Sequence, residues 1–222
     1  MSIGIQATIS VVSVLASATA FAAGSQLSCA DSLGTTEGEI KLLKQAPSGA
    51  ARIGEHILEV RYKKGVKRFV DIPPYDELSG THWHYCGYDR SRRVHLLGKS
   101  VESLFTGMLL VEDNGRTLKA GQTVYLSPAG GNFLAVEQED GRDGENWTLY
   151  SFAGKKLWAG YAGVTERIPG NSYDSIYAQF VNPIWNDDGS MSAQVSCTNS
   201  IKGVVKLQIR SGRAKWSPVP RC

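Results

Sequence analysis

The chain has no Cys-x-x-Cys pair, no Gly-x-Ser-x-Gly elbow, no Walker A or Gly-x-Gly-x-x-Gly loop and no His-Glu-x-x-His. These absences remove thioredoxin-like redox work, zinc-ribbon sites, the serine-hydrolase elbow, the two common nucleotide cradles and the zincin metal site. No cofactor is therefore expected, and the sequence leans away from an enzyme. Charge of one sign is missing as well. Lys and Arg number 24 against 21 Asp and Glu, a net charge of +3, and no long basic run points to nucleic acid. The densest basic stretch, RYKKGVKR (61–68), reads as a hairpin with charged flanks.

Long hydrophobic runs are also lacking. Ile9 to Ala23 is apolar or small throughout, but it falls short of the roughly 20 residues that span a bilayer. It ends in Ala20-Phe21-Ala22, a small-x-small pattern suited to signal peptidase, although no Lys or Arg precedes it. Residues 1–22 are thus expected to be a signal peptide. The mature chain is expected from Ala23, periplasmic or secreted, with no transmembrane anchor.

That expectation decides how the cysteines read. Cys29, Cys86, Cys197 and Cys222 form an even set of four in a chain bound for an oxidising space, so two disulfides are expected. Three pairings are open. Cys222 is the last residue, so one bridge should tie down a terminus.

Helix signals are scarce. Thr35 to Ala46 (TTEGEIKLLKQA) could form one short helix, limited by Gly38 and Pro47. The rest reads as short alternating runs, such as HILEVRY (56–62), GMLLVED (107–113), NFLAVEQE (132–139), NWTLYSF (146–152) and SAQVSC (192–197). Gly, Pro, Asn and Asp separate them, as at Asp113-Asn114-Gly115 and Asp187-Asp188-Gly189. This pattern predicts a single all-β domain over 23–222.

An internal repeat runs through that domain, with units near 80–107, 125–158 and 184–216. YLSPAGGNFLAVEQ…NWTLYSFAGKKLW matches IWNDDGSMSAQVSC…VVKLQIRSGRAKW. In each, a turn glycine (Gly130, Gly189) is followed by a strand, then by a second glycine (Gly154, Gly212), with a Trp four residues on (Trp158, Trp216). The first unit is looser, with Gly98 at the turn and LFTG (104–107) echoing LWAG (157–160). Cys86 and Cys197 fall at matching places, each ending the strand after a turn glycine.

The hairpin YLSPAGGNFLAV resembles the "SPDG" strand–turn–strand unit of TolB-like and WD40-like β-propeller blades. The resemblance implies a propeller-like meander of antiparallel strands. The period near 58 exceeds the ~40–45 of WD40 blades, and three units are fewer than the four blades of a closed propeller. The implied meander is then incomplete, or completed by the N-terminal hairpin. A β-sandwich is the alternative.

Three stretches carry candidate chemistry. In THWHYCGYD (81–89) strand alternation puts His82, His84 and Cys86 on one face and the rings of Trp83 and Tyr85 on the other. His82 and His84, with His95 from the next strand, are the candidate metal ligands; a disulfide at Cys86 would remove its thiolate. The turn YDRSRRVH offers Arg90, Arg92 and Arg93 to an anionic partner. The acidic segment EQEDGRDGEN offers Glu137, Glu139, Asp140, Asp143 and Glu145 as a binding loop, without EF-hand or RTX spacing.

The sequence thus points to a non-catalytic extracytoplasmic binding protein, of inhibitor or immunity type, whose partner is another extracytoplasmic protein. The alternatives are a metal-dependent hydrolase or metalloprotein built on the His-x-His strand, and a structural envelope-assembly accessory protein.

Overall fold

Leu96 and Leu97 are neighbours in the chain and both fully buried, yet they belong to different hydrophobic cores. Leu109 and Leu110 divide in the same way, as do Phe133 and Leu134. Successive side chains of a strand point to opposite faces, so an unbroken apolar run needs a sheet covered on both sides. The computed structural model provides that cover by stacking sheets face to face. It describes residues 24–30, 36–46, 49–75, 79–102, 104–137, 145–167, 174–198, 200–210, 213–220 and 222. The expected signal peptide lies outside these residues.

The chain is all-β and antiparallel throughout, with one helix among the described residues. The first sheet holds β2 (Ala50–Arg52), β3 (Ile57–Tyr62) and β4 (Gly65–Val70). The second holds β5 (Thr81–Asp89), β6 (Val94–Val101), β7 (Leu104–Val111) and β8 (Thr117–Ala120). The third runs in the order β1 (Gln26–Ser28), β9 (Thr123–Leu126), β10 (Asn132–Glu137), β11 (Asn146–Ser151) and β12 (Lys156–Tyr161). The fourth holds β13 (Gly163–Arg167), β14 (Asp174–Trp185), β15 (Met191–Cys197), β16 (Ser200–Arg210) and β17 (Arg213–Ser217). Face-to-face sheets are common to propellers and sandwiches, and the arrangement is compatible with either.

Three cores lie between the sheets. Leu58, Val60 and Phe69 of the first sheet meet Tyr85, Leu97 and Leu110 of the second. Val94, Leu96, Leu109 and Leu118 of the second meet Val124, Leu126, Phe133 and Ala135 of the third. Leu134, Val136, Trp147 and Leu149 of the third meet Phe180, Met191, Val195 and Leu207 of the fourth. Close approach of backbones sets the passage from the second sheet to the third. A Cβ on Gly121 would collide with the Val136 carbonyl, so only glycine fits there.

Helix α1 (Thr36–Gln45) carries Glu37 and Glu39 in its first turn and Lys44 in its last, which suits the helix dipole. Leu42 and Leu43 pack against the first core. Its buried Glu39 has a further role at the outer edge of β5. The Tyr85 backbone N–H donates to Glu39 Oε1 at 2.7 Å, and the Trp83 N–H donates to Asp71 Oδ1 at 2.8 Å. Arg52 donates to the Trp83 carbonyl, and through Nε and a terminal nitrogen to Glu39 at 3.1 Å. Three side chains thereby occupy backbone positions that a neighbouring strand would fill, which blunts the edge against pairing with other chains.

The disulfides join Cys29 to Cys86 and Cys197 to Cys222, and no described cysteine is free. The first links the residue that follows β1 of the third sheet to β5 of the second. The second ties down the C-terminal residue. One sequence expectation needs correcting: Cys86 does not end its strand. β5 continues to Asp89 after a β-bulge, because Tyr85 pairs with Leu97 and Gly87 with Leu96, leaving Cys86 as the extra residue.

Several strands carry too little pattern to be read from sequence. β1, β2 and β8 are three or four residues long. β14 contains Pro183, which sits at the break in register between Val181 and Ile184, where a strand tolerates proline.

Candidate binding cleft at the seam of the third and fourth sheets

The histidines do not converge. β5 and β6 pair with His82 opposite Ser100 and His84 opposite Gly98, while Tyr88 lies opposite His95. That register puts His95 on the face of Leu97, toward the first core, and His84 on the other face beside Phe105, with ring centroids 6.2 Å apart. His84 Nε2 is hydrogen-bonded to Ser100 Oγ at 3.0 Å, and Cys86 is held in its disulfide. Among the described residues no three His, Cys, Asp or Glu side chains form a group able to hold a metal ion. The expected His82–His84–His95 set is corrected accordingly: the pairing register separates its members across the sheet.

His95 serves the core instead. It is 1 % exposed, is hydrogen-bonded through Nδ1 to the Tyr85 hydroxyl (3.0 Å), and packs against the Tyr88 ring at 4.6 Å. Burial pushes its pKa down to about 4, against a smaller opposing pull from Glu112. Burial also lowers that of His84. Below its ordinary pKa of 6.5 the unfolded chain takes up a proton that the folded core refuses until about pH 4. Stability present above pH 6.5 is therefore lost as pH falls through that window, by about 3 kcal/mol for His95. Urea unfolding at pH 7 and pH 4 should show this loss, and His95→Gln should flatten it. An unchanged slope in that variant would count against His95 as its source.

The arginine turn is mostly engaged with the fold. Arg92 donates to the carbonyls of Ser127 (2.8 Å) and Pro128, clamping the β5–β6 turn to the β9–β10 turn. Gly130 in that second turn has a φ of 80°, and a Cβ there would meet the Arg92 guanidinium. Arg93 pairs with Glu112 at 3.2 Å and Asp113 at 3.0 Å. Arg90 is exposed on the turn.

The acidic segment also divides. Glu137 is buried, with its carboxylate 3.3 Å from Lys119 Nζ. Glu139, Asp140 and Asp143 lie outside the described residues. Glu145 is exposed and accepts the Trp147 indole N–H at 2.9 Å.

Glu145 stands at an open cleft of ≈ 390 Å³, lined by Tyr125, Trp147, Tyr161, Gln179 and Asn182 among others. β9, β11 and β12 supply one wall and β14 the other. The backbone stitches them together: Ala162 N–H donates to the Glu145 carbonyl at 2.8 Å, and Phe180 N–H to the Ala162 carbonyl at 2.9 Å. The Trp185 indole donates to the Tyr125 carbonyl at 3.0 Å. Trp147 is 1 % exposed and wedged against Phe180 and Trp216. Burial, and then the Glu145 charge, raise the Tyr125 pKa. Asn182 has a φ of 51° at the bulge beside Pro183, and its amide donates to Gln194 at 2.8 Å. Asparagine is among the residues that tolerate this left-handed conformation, and the bulge bends the strand there.

Of the candidate residues that the structure describes, only Glu145 lines this cleft. From sequence, its Tyr and Trp residues read as core and edge packing. The signals that could have marked it were Pro183 inside an apolar strand and an acidic loop ending directly before a Trp.

No helix among the described residues is long and apolar enough to cross a membrane. With two disulfides, this is compatible with an extracytoplasmic protein. Comparison of the chain with protein-family models, characterised proteins and solved structures gives no match.

Proposed function

We propose that this chain is a periplasmic or secreted, non-catalytic binding protein, of inhibitor or immunity type, that engages another extracytoplasmic protein. One observation carries the reading: an open cleft whose aromatic, amide and carboxylate lining is set in a hydrogen-bonded frame between two sheets. Such a lining recognises by stacking and hydrogen bonding, and pockets with a few placed polar groups among rings are the usual form of a binding site. Two disulfides support the location and stiffen the scaffold that holds the cleft open.

A photo-crosslinking residue at exposed Gln179, compared with one at exposed Val66 on β4, tests this reading in the oxidised protein mixed with an envelope extract. The expected outcome is one discrete protein adduct from position 179, absent from position 66 and competed away by unlabelled protein. Equal adducts from both positions, or none from 179, would refute the cleft as the binding surface.

A further inference from the structure

We infer that the cleft receives a basic side chain, an arginine or lysine of the partner protein, with its cationic head against Glu145. This rests on the binding reading above and names the chemistry of what enters. Among the described residues the lining contains one carboxylate and neither lysine nor arginine, in a chain whose net charge is +3. The cleft is thus a local negative site on a mildly positive protein. No described lysine or arginine pairs with Glu145. Its Oε2 accepts the Trp147 indole hydrogen, which fixes the carboxylate's position. A carboxylate has about four acceptor sites, so one indole leaves capacity for a guanidinium or ammonium.

The walls suit the same guest. Tyr125 and Tyr161 are half-buried rings, and ring faces attract cations through their quadrupole. The long apolar stem of Arg or Lys can lie along Ala162 and Val181 while its head stays at the wet rim beside Glu145. A volume of ≈ 390 Å³ sits at the low end for ligand pockets, which run roughly 300–1,000 Å³; it admits a side chain and not a helix or strand. An oligosaccharide would also stack on tyrosines, but its many hydroxyls call for several polar groups turned to them. Asn182, one of the two lining amides, is turned to Gln194.

The Trp147 indole N–H, bound to the same carboxylate, is the natural reporter. Its resonance, assigned by triple-resonance NMR, can be followed in the intact oxidised protein during titration with N-acetyl-arginine amide, its citrulline analogue or maltotetraose. The arginine probe should move it saturably. Citrulline should bind roughly tenfold more weakly, as should arginine to Glu145→Gln, which keeps an acceptor for the indole but removes the charge. Equal binding of citrulline, an unchanged Glu145→Gln, or a shift with the sugar in place of arginine would overturn the inference. If arginine is silent while position 179 still captures a partner, this inference alone falls. If both are silent, the binding reading falls with it.

Discussion

Replacing Cys29 and Cys86 together by alanine should destabilise the protein by about 4 kcal/mol. The bridge closes a loop with a sequence separation of 57, and the chain-entropy relation gives about 4 kcal/mol for that length. It also joins two sheets through residues that are 0 % and 2 % exposed, so the second core loses two buried sulfurs. For a domain of this size the loss corresponds to about 10 °C in Tm. The Cys197–Cys222 bridge spans only 25, for which the same relation gives about 3.5 kcal/mol. The Cys197→Ala/Cys222→Ala pair should lose less, because its loop is shorter and Cys222 is exposed. Chemical denaturation of both double variants checks the order. Equal losses would show that loop length and core position do not set the effect.

Arg52→Met should cost about 3 kcal/mol, read from urea midpoints at constant m-value. Arg52 ties Glu39 to Asp71 at the edge of β5, its nitrogens lying 3.1 Å and 3.5 Å from those carboxylates. Its removal leaves two buried acids without its guanidinium and the Trp83 carbonyl without its donor. Breaking a buried ion pair by removing one partner typically costs roughly 3–5 kcal/mol. The lower figure applies because the Arg52 side chain is 22 % exposed and water screens part of its charge. Arg52→Lys should recover only part of the loss, since an ammonium lacks the fork that reaches both carboxylates and the carbonyl. Full recovery by lysine would show that charge alone, without the fork geometry, holds the edge.

The all-β architecture was legible because short apolar runs alternate with turn residues. β3, β7, β10, β11 and β15 fall on segments read as strands, and the helix at Thr36–Gln45 falls where its signals stood. The two disulfides followed from the count and parity of cysteines, but their pairing did not. It depends on β1 joining β9 in the third sheet, a contact made by only three residues. The histidine set failed on register. A strand's own alternation is written in its sequence, whereas the partner's offset is set by packing across the sheet, and that offset carried His95 to the opposite face. The cleft was hidden for a related reason. Tyr125, Glu145 and Gln179 come from distant stretches, and nothing local distinguishes a tyrosine that lines a cleft from one that fills a core.

The division of Leu96 from Leu97 has a consequence for how the molecule distributes its free energy. Each core joins one sheet only to the next, so the sheets are coupled like links in a row, with stability built from units and nearest-neighbour interfaces. The second and third sheets each share two interfaces, and the first and fourth only one. A lesion in a middle sheet weakens the molecule on both sides, whereas a change in the fourth sheet is felt through a single interface. The cleft lies at that last interface, so a change in the wall carrying Gln179 and Asn182 reaches the first two sheets only through the third.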